Sequence, residues 1–494
     1  MYYISTRDRD NRVLASYAIA HGISKEGGLF VPEAFPALTE ADFNTLKNLS
    51  YHERAKYIFK LFLSDFSDEQ IDNCVKNAYL GRFDNDLPAP LKKLNDNVNV
   101  LELWHGPTCA FKDLALQILP HLLTTSLKNI SDNKKSVILV ATSGDTGKAA
   151  LEGFKDVKNT EILVFYPVDG VSDMQKLQMV SQTGNNVHVT AIRGNFDDAQ
   201  SAVKTIFTDS DFIKLLADNN MEFSSANSIN WGRLCPQIVY YVSAYLDLLR
   251  DGVHMTDGFN VCVPTGNFGN ILAAYYAKKI GVPIAKLICA SNKNCVLTDF
   301  FESGTYNRNR EFYLTTSPSM DILISSNLER LLFELTDGDD AYVSSLIKDL
   351  TDAGVYTVND AVKSKMNEYF YAAFTDDTTV DKIIKSTFEK YSYLIDTHTA
   401  VAFGAYNKYL SESKDDKPVV IASTASPYKF YNSVLKALGK EVTGDKFADI
   451  DFLSEYTGTK IPTPIAGLKN AKIRFTDVYG KDEIFDAVRN ELNL

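Results

Sequence analysis

The chain has 494 residues, enough for several structural units, and its 45% hydrophobic and 23% charged residues are the balance of an ordinary globular protein. Its 63 acidic against 51 basic side chains leave a formal net charge of −12. This argues against nucleic acid as the main partner, and any anionic ligand must be captured by a local site. No apolar run approaches membrane-spanning length, and the N-terminal MYYISTRDRD is charged by Arg7 with no signal-peptide core. The six cysteines are scattered without a CxxC pair, so neither a disulfide framework nor a zinc site is expected, and a cytoplasmic location is.

Residues 1–95 mix helical patterns with polar turns and are read as an N-terminal domain. Val98 to Leu103 is a short strand-like run leading into His105, Gly106 and Pro107. From Phe111, FKDLALQILPHLLTTSL has helical periodicity despite Pro120. Strand–loop–helix units then follow. SVILVA (136–141) leads through SGDTG (143–147) into KAALEGF; EILVFYP (161–167) leads into SDMQKLQMV; NVHVTAI (186–192) is a third strand. FNVCVP (259–264) leads through TGNFGN into ILAAYYAKK, and AKLICA (285–290) and KPVVIAS (417–423) are later strands. Such alternation predicts an α/β fold with mostly parallel sheets and helices on both faces. Residues 300–395 carry no chemistry legible from pattern. From about 440 the chain reads as loop closed by the helix KDEIFDAVRNEL.

Five segments could carry chemistry. In TGNFGN, Gly266 and Gly269 lie between a strand and a helix, where backbone amides hold a phosphate; a plain βα turn is the simpler reading. The spacing fits neither the dinucleotide fingerprint nor the P-loop. SGDTGK (143–148) sits in the same context, and its hydroxyls and helix start would suit a carboxylate, or merely cap a helix. Lys112 follows the small, apolar stretch Thr108–Phe111 where a helix begins. Burial and the helix end would lower its pKa toward the neutral amine that imine chemistry needs. SSANSINWGRL (224–234) gathers hydroxyls, amides and Arg233 that could bind an oxyanion, or form a polar loop before a helix running from about Pro236. In STASPYKF (423–430), Thr424 stands at a strand end. There is no GxSxG or HExxH motif, and of the isolated histidines His398 is the one to watch.

These segments, in order, resemble threonine synthase in its long bacterial and fungal form: GGLFVPE (27–33), ELWHGPTCAFKDLALQ (102–117), ATSGDTGKAA (141–150), ANSINWGRL (226–234), VPTGNFGN (263–270), SMDI (319–322), THTAVAF (397–403) and STASPYKF. The resemblance implies a fold-type II pyridoxal-phosphate enzyme like the tryptophan synthase β subunit, with two open, mostly parallel sheets. It implies a large cofactor-binding domain (96–115 and 216–440), a small domain (116–215) and a C-terminal extension (441–494). Lys112 then matches the lysine that carries pyridoxal 5'-phosphate, and Gly266, Asn267, Phe268, Gly269 and Asn270 match the cofactor-phosphate loop. Thr424 matches the hydroxyl facing the pyridine nitrogen. Ser143, Gly144, Asp145 and Thr146 match the loop near the substrate carboxylate, and Asn230 and Arg233 are expected on the substrate-phosphate side. The implied substrate is O-phospho-L-homoserine, with a monomer or homodimer and no metal. Ser426 departs from the family's commoner histidine, and Trp231-Gly232 is unusual within the N-S-I-N-x-x-R-L stretch.

Overall fold

A computed structural model describes residues 1–494 except Ser143, Asp169, Gly170 and Asn195, and except the side chains of Phe196 and Asp197. Two open sheets organise it. In the larger, the strand order is Phe370–Phe374, Ile284–Ser291, Phe259–Pro264, Val419–Ser423, Val98–Glu102 and Leu91–Lys93, parallel except for the last. In the smaller, all strands are parallel, in the order Val478–Gly480, Val187–Arg193, Thr160–Pro167, Lys135–Ala141 and Met221–Ser224. A short antiparallel sheet (Asp8–Val13, Tyr3–Ser5, Phe30–Pro32) belongs to the N-terminal region.

Both large sheets are buried on two faces, and period-2 alternation says how. Val261, Val263, Val420, Ala422 and Leu101 pack toward one cluster, shared with the N-terminal helices. Cys262, Val419, Ile421, Val98 and Val100 pack toward another. In the smaller sheet, Ile138, Val140, Ile162 and Val164 face one cluster and Val137, Leu139, Leu163 and Phe165 the other. The chain after 440 reaches both sheets. Ile450 and Leu453 cover the larger one, while the closing helix Ile484–Leu492 packs Ile484, Val488 and Leu492 against the smaller.

Two helices differ from expectation. The helical stretch after Phe111 is two pieces, Asp113–Leu116 and Leu119–Asn129, with Pro120 in the first turn of the second. A proline there forfeits an amide that had no helical acceptor, whereas mid-helix it would break a bond. The helix expected from about Pro236 starts at Trp231 and runs to Arg250, so Pro236 lies inside it. Asn230 caps it, its Oδ1 accepting from Gly232 N at 2.8 Å. Among the described residues no helix is long and apolar enough to cross a membrane.

Candidate active site

The motif residues converge on the carboxyl ends of parallel strands, where open α/β sheets bind ligands. Three of them follow strands of the larger sheet that are contiguous: Lys112 follows Val98–Glu102, Thr424 follows Val419–Ser423, and the glycine loop follows Phe259–Pro264.

Lys112 and Thr424 are locked together by backbone. Ala110 bridges Ala425 in antiparallel fashion. Phe111 N donates to Thr424 O at 2.8 Å, and Ser426 N donates to Cys109 O at 3.1 Å. Cys109, at φ +57°, makes the turn into this arrangement. Thr424 is buried, and its hydroxyl makes no hydrogen bond among the described residues. It is therefore available to a ring nitrogen.

Lys112 is a half-buried side chain with protein crowding its amine. Its Nζ lies 6.0 Å from the Phe111 ring centroid and forms neither hydrogen bond nor ion pair among the described residues. Burial pushes its pKa down to about 8; Asp145 opposes the fall, and Arg233 and Lys429 add to it. The helix that follows is a single turn, Asp113–Leu116. Burial and two neighbouring cations thus take the part that sequence assigned to a helix end.

The glycine loop is built to hold an anion. The helix Gly269–Lys279 begins there, and its first amide with a backbone acceptor is that of Leu272, bonded to Phe268 O at 3.0 Å. Among the described residues the amides of Gly266 through Ile271 have no acceptor. Such a run of free N–H groups at a helix start is a phosphate cradle. Gly266 is required by sterics, since a Cβ there would stand 2.9 Å from Ser319 O. Asn267 is exposed, and its carbonyl is held by Asn327 N and Nδ2. Phe268 sits in the left-handed region at φ +62°, and its ring is anchored against Phe301 and Phe370, so it serves the loop through its backbone. Asn270 accepts from Tyr240 and Tyr241 at 2.7 and 2.6 Å, and its buried Nδ2 is a donor without a partner among the described residues.

On the other side lies the loop after Lys135–Ala141. Ser143 falls outside the described residues. Thr142 Oγ1 accepts from Gly144 N and Gly147 N, each at 3.0 Å. The amides of Asp145 and Thr146 stay without acceptors among the described residues, as a carboxylate site requires. Lys148, the lysine that gives this segment its P-loop look, turns away to Glu152 and Gln182.

Arg233 is buried, with Nη1 donating to Ala226 O at 2.7 Å and Nε unpartnered among the described residues. Burial lowers its pKa to about 10, still firmly cationic at neutral pH. A buried guanidinium with a spare donor invites an oxyanion. Asn230 differs: besides capping its helix, its Nδ2 donates to Ile19 O at 2.9 Å, so its side chain is committed to the fold.

Sequence reasoning passed over the polar network that joins these parts. Lys429 Nζ, fully buried, pairs with Asp145 Oδ1 at 2.6 Å and donates to Thr108 O at 2.9 Å. Asp145 also accepts from Gln175 Nε2 at 2.8 Å and Ser319 Oγ at 3.2 Å. Burial alone would raise the Asp145 pKa, but Lys429 and Lys112 outweigh it and hold the carboxyl well below its usual range. Ser319 N in turn donates to His398 Nε2 at 3.2 Å, and His398 Nδ1 bonds Asp396 at 2.7 Å. His398 thus orients Ser319, which touches both the Gly266 loop and Asp145. Of the network's members, Asp145 and His398 were singled out in sequence, whereas Lys429 and Ser319 only fall inside the motif windows.

This donor set fits pyridoxal 5'-phosphate: free amides for the phosphate, a neutral hydroxyl for the ring nitrogen, and an unpaired lysine beside it. Among the described residues no group of His, Cys, Asp and Glu could hold a metal ion. Comparisons agree. The family described as Threonine synthase N terminus matches residues 2–79, Pyridoxal-phosphate dependent enzyme matches residues 85–425, and Threonine synthase, C-terminal matches residues 399–489. The chain is 40% identical over 476 residues to Threonine synthase-like 1 of Homo sapiens, covering 92% of this chain but only 63% of that protein. It is 38% identical to Threonine synthase of Pseudomonas aeruginosa, covering 88% of this chain and 90% of the relative. The crystal structure of PLP-bound Threonine synthase from Brucella melitensis superposes with a TM-score of 0.89 at 36% identity, over 99% of each chain. The chain belongs to the threonine synthase family of pyridoxal-phosphate-dependent enzymes of fold-type II.

Proposed function

We propose that this protein converts O-phospho-L-homoserine and water to L-threonine and phosphate. The observation that carries the reading is Lys112: an amine with no partner among the described residues, pushed down to about 8 by burial, on a segment backbone-bonded to Thr424. When bound, pyridoxal 5'-phosphate supplies the electron sink for charge on the substrate carbons.

The chain's own residues do the rest. The amides of Gly266 to Asn270, with Asn270 Nδ2, hold the cofactor phosphate. Thr424 offers a neutral hydroxyl to the ring nitrogen, so the ring stays less electron-poor than a carboxylate partner would make it. The amides of Asp145 and Thr146 take the substrate carboxylate, and Arg233 takes the substrate phosphate. Asn230 acts only by fixing the start of Arg233's helix. Lys112 accepts the proton from Cα; as phosphate leaves Cγ and water adds at Cβ, it moves protons at these carbons. A net acidic chain thus binds two phosphates by local amides and one buried guanidinium. The scattered cysteines without a CxxC pair support a cytoplasmic location.

A second reading is a phospholyase that eliminates phosphate and releases 2-oxobutyrate. Lys112 and the glycine loop would serve this outcome equally, since it needs the same neutral amine and the same gripped cofactor phosphate. Incubation of the cofactor-loaded protein with O-phospho-L-homoserine decides. Threonine and phosphate in equal amounts support the proposal; phosphate with 2-oxobutyrate supports the alternative, and no turnover refutes both.

A further inference from the structure

The Lys429–Asp145 pair has no part in the steps above, yet it lies next to the amine on which they depend. The groups facing Lys112 are Asp145 from the helix Asp145–Phe154, Arg233 from Trp231–Arg250, and Lys429 from the turn Pro427–Phe430. Asp145 is the one carboxylate among them. Lys429 faces Asp145, Asp113, Cys109 and Lys148 in addition to Lys112.

We propose that Lys429 is a positioning residue for Lys112: by holding the Asp145 carboxylate at 2.6 Å it keeps that carboxylate from pairing with the Lys112 amine. The geometry is specific. Asp145 is fixed on both oxygens, Oδ1 by Lys429 and Gln175, Oδ2 by Ser319. Lys429 is itself fixed to the Thr108 carbonyl, just upstream of Lys112. Neither partner reaches solvent, so their attraction is little screened. A carboxylate left unclaimed beside Lys112 would pair with it and stabilise its ammonium form. Lys429 therefore supports the neutral amine twice, by occupying Asp145 and by its own like charge.

The idea rests on the reading of Lys112 as the proton-moving group, but its test does not require turnover. The Lys112 amine is titrated in the cofactor-stripped full-length chain by following its acylation with acetic anhydride across pH, read by peptide mass spectrometry. In parallel, the pH dependence of the visible cofactor absorbance is recorded in the holoenzyme. In the acylation titration the wild-type midpoint should lie near 8. In Lys429→Met it should rise by about one pH unit, and in Asp145→Asn it should fall by about one. Lys429→Arg should keep the wild-type midpoint, and the double variant Lys429→Met/Asp145→Asn should return close to it. If Lys429→Met fails to fold, Asp145→Asn and the double variant still decide, since the first should lie about one pH unit below the second. Equal midpoints in all variants, or single variants moving in one direction, would overturn the proposal. The product assay above is independent of these titrations, so failure here leaves the assigned reaction standing.

Discussion

Two strand–glycine–helix turns face each other across the site, one on each sheet, and they read alike in sequence. They differ in what happens to their amides. In the turn after Phe259–Pro264, the amides of Gly266 through Ile271 find no acceptor among the described residues. In the turn after Lys135–Ala141, Thr142 takes two amides for itself, and Asp145 is tied to Lys429, Gln175 and Ser319. The first would suit a dianion. The second offers less positive backbone, suited to a single carboxylate, and places its own negative charge close to Lys112. A glycine between strand and helix therefore marks a place for an anion, while the neighbouring side chains decide which anion it takes.

On the proposed reading both turns serve Lys112, so Lys112→Ala should erase the distinction between them. Turnover should drop by about 10³-fold or more, with loss of cofactor colour; colour retained with normal phosphate release would break the scheme. Gly266→Ala should separate the two turns. A Cβ there meets backbone at 2.9 Å, and we expect cofactor affinity to weaken by about 30-fold, near 2 kcal/mol. Gly144→Ala, at φ +147° and against the Gln175 side chain, should instead raise KM for the phosphorylated substrate while cofactor affinity holds. Equilibrium dialysis and steady-state kinetics read the pair, and equal effects of both variants on cofactor binding would remove the contrast. Thr424→Asp should protonate the ring nitrogen, change the cofactor spectrum and slow turnover by about tenfold; an unaltered spectrum would misplace Thr424.

The smallest effect lies away from the site. His188 sits between Glu161 and Glu491, at 3.2 and 2.6 Å, and ties the closing helix to the smaller sheet. Burial alone would lower its pKa, but these two carboxylates raise it to about 9. Because the folded value exceeds the unfolded one, the stabilisation is complete below about 6.5 and is lost as pH rises through 9. His188→Gln should cost about 1 kcal/mol in urea melts at pH 6 and almost nothing at pH 10. A cost independent of pH would show that packing alone is involved.

The sheets were legible because runs such as FNVCVP, which matches Phe259–Pro264 residue for residue, are apolar on both faces and short. Residues 300–395 hid the strand Phe370–Phe374, since it lies directly against the end of a helix with no turn between them. The edge strand Val478–Gly480 is three residues long and too brief for any period to show. At the site, Thr424 and the glycine loop stood out by placement at strand ends, and Lys112 by the small, apolar stretch before it. Lys429 did not, because a buried lysine is recognised by its partner, and Asp145 stands 284 positions earlier in the chain. Asn230 shows the opposite case: a polar residue near a buried arginine can simply be a helix cap.

The most direct test is chemical. Reduction of the cofactor-loaded protein with borohydride, followed by digestion and mass spectrometry, identifies the lysine that carries pyridoxal 5'-phosphate. The account predicts the label on Lys112 alone. Label on Lys429 or Lys148, or a protein that takes up no label, would contradict it.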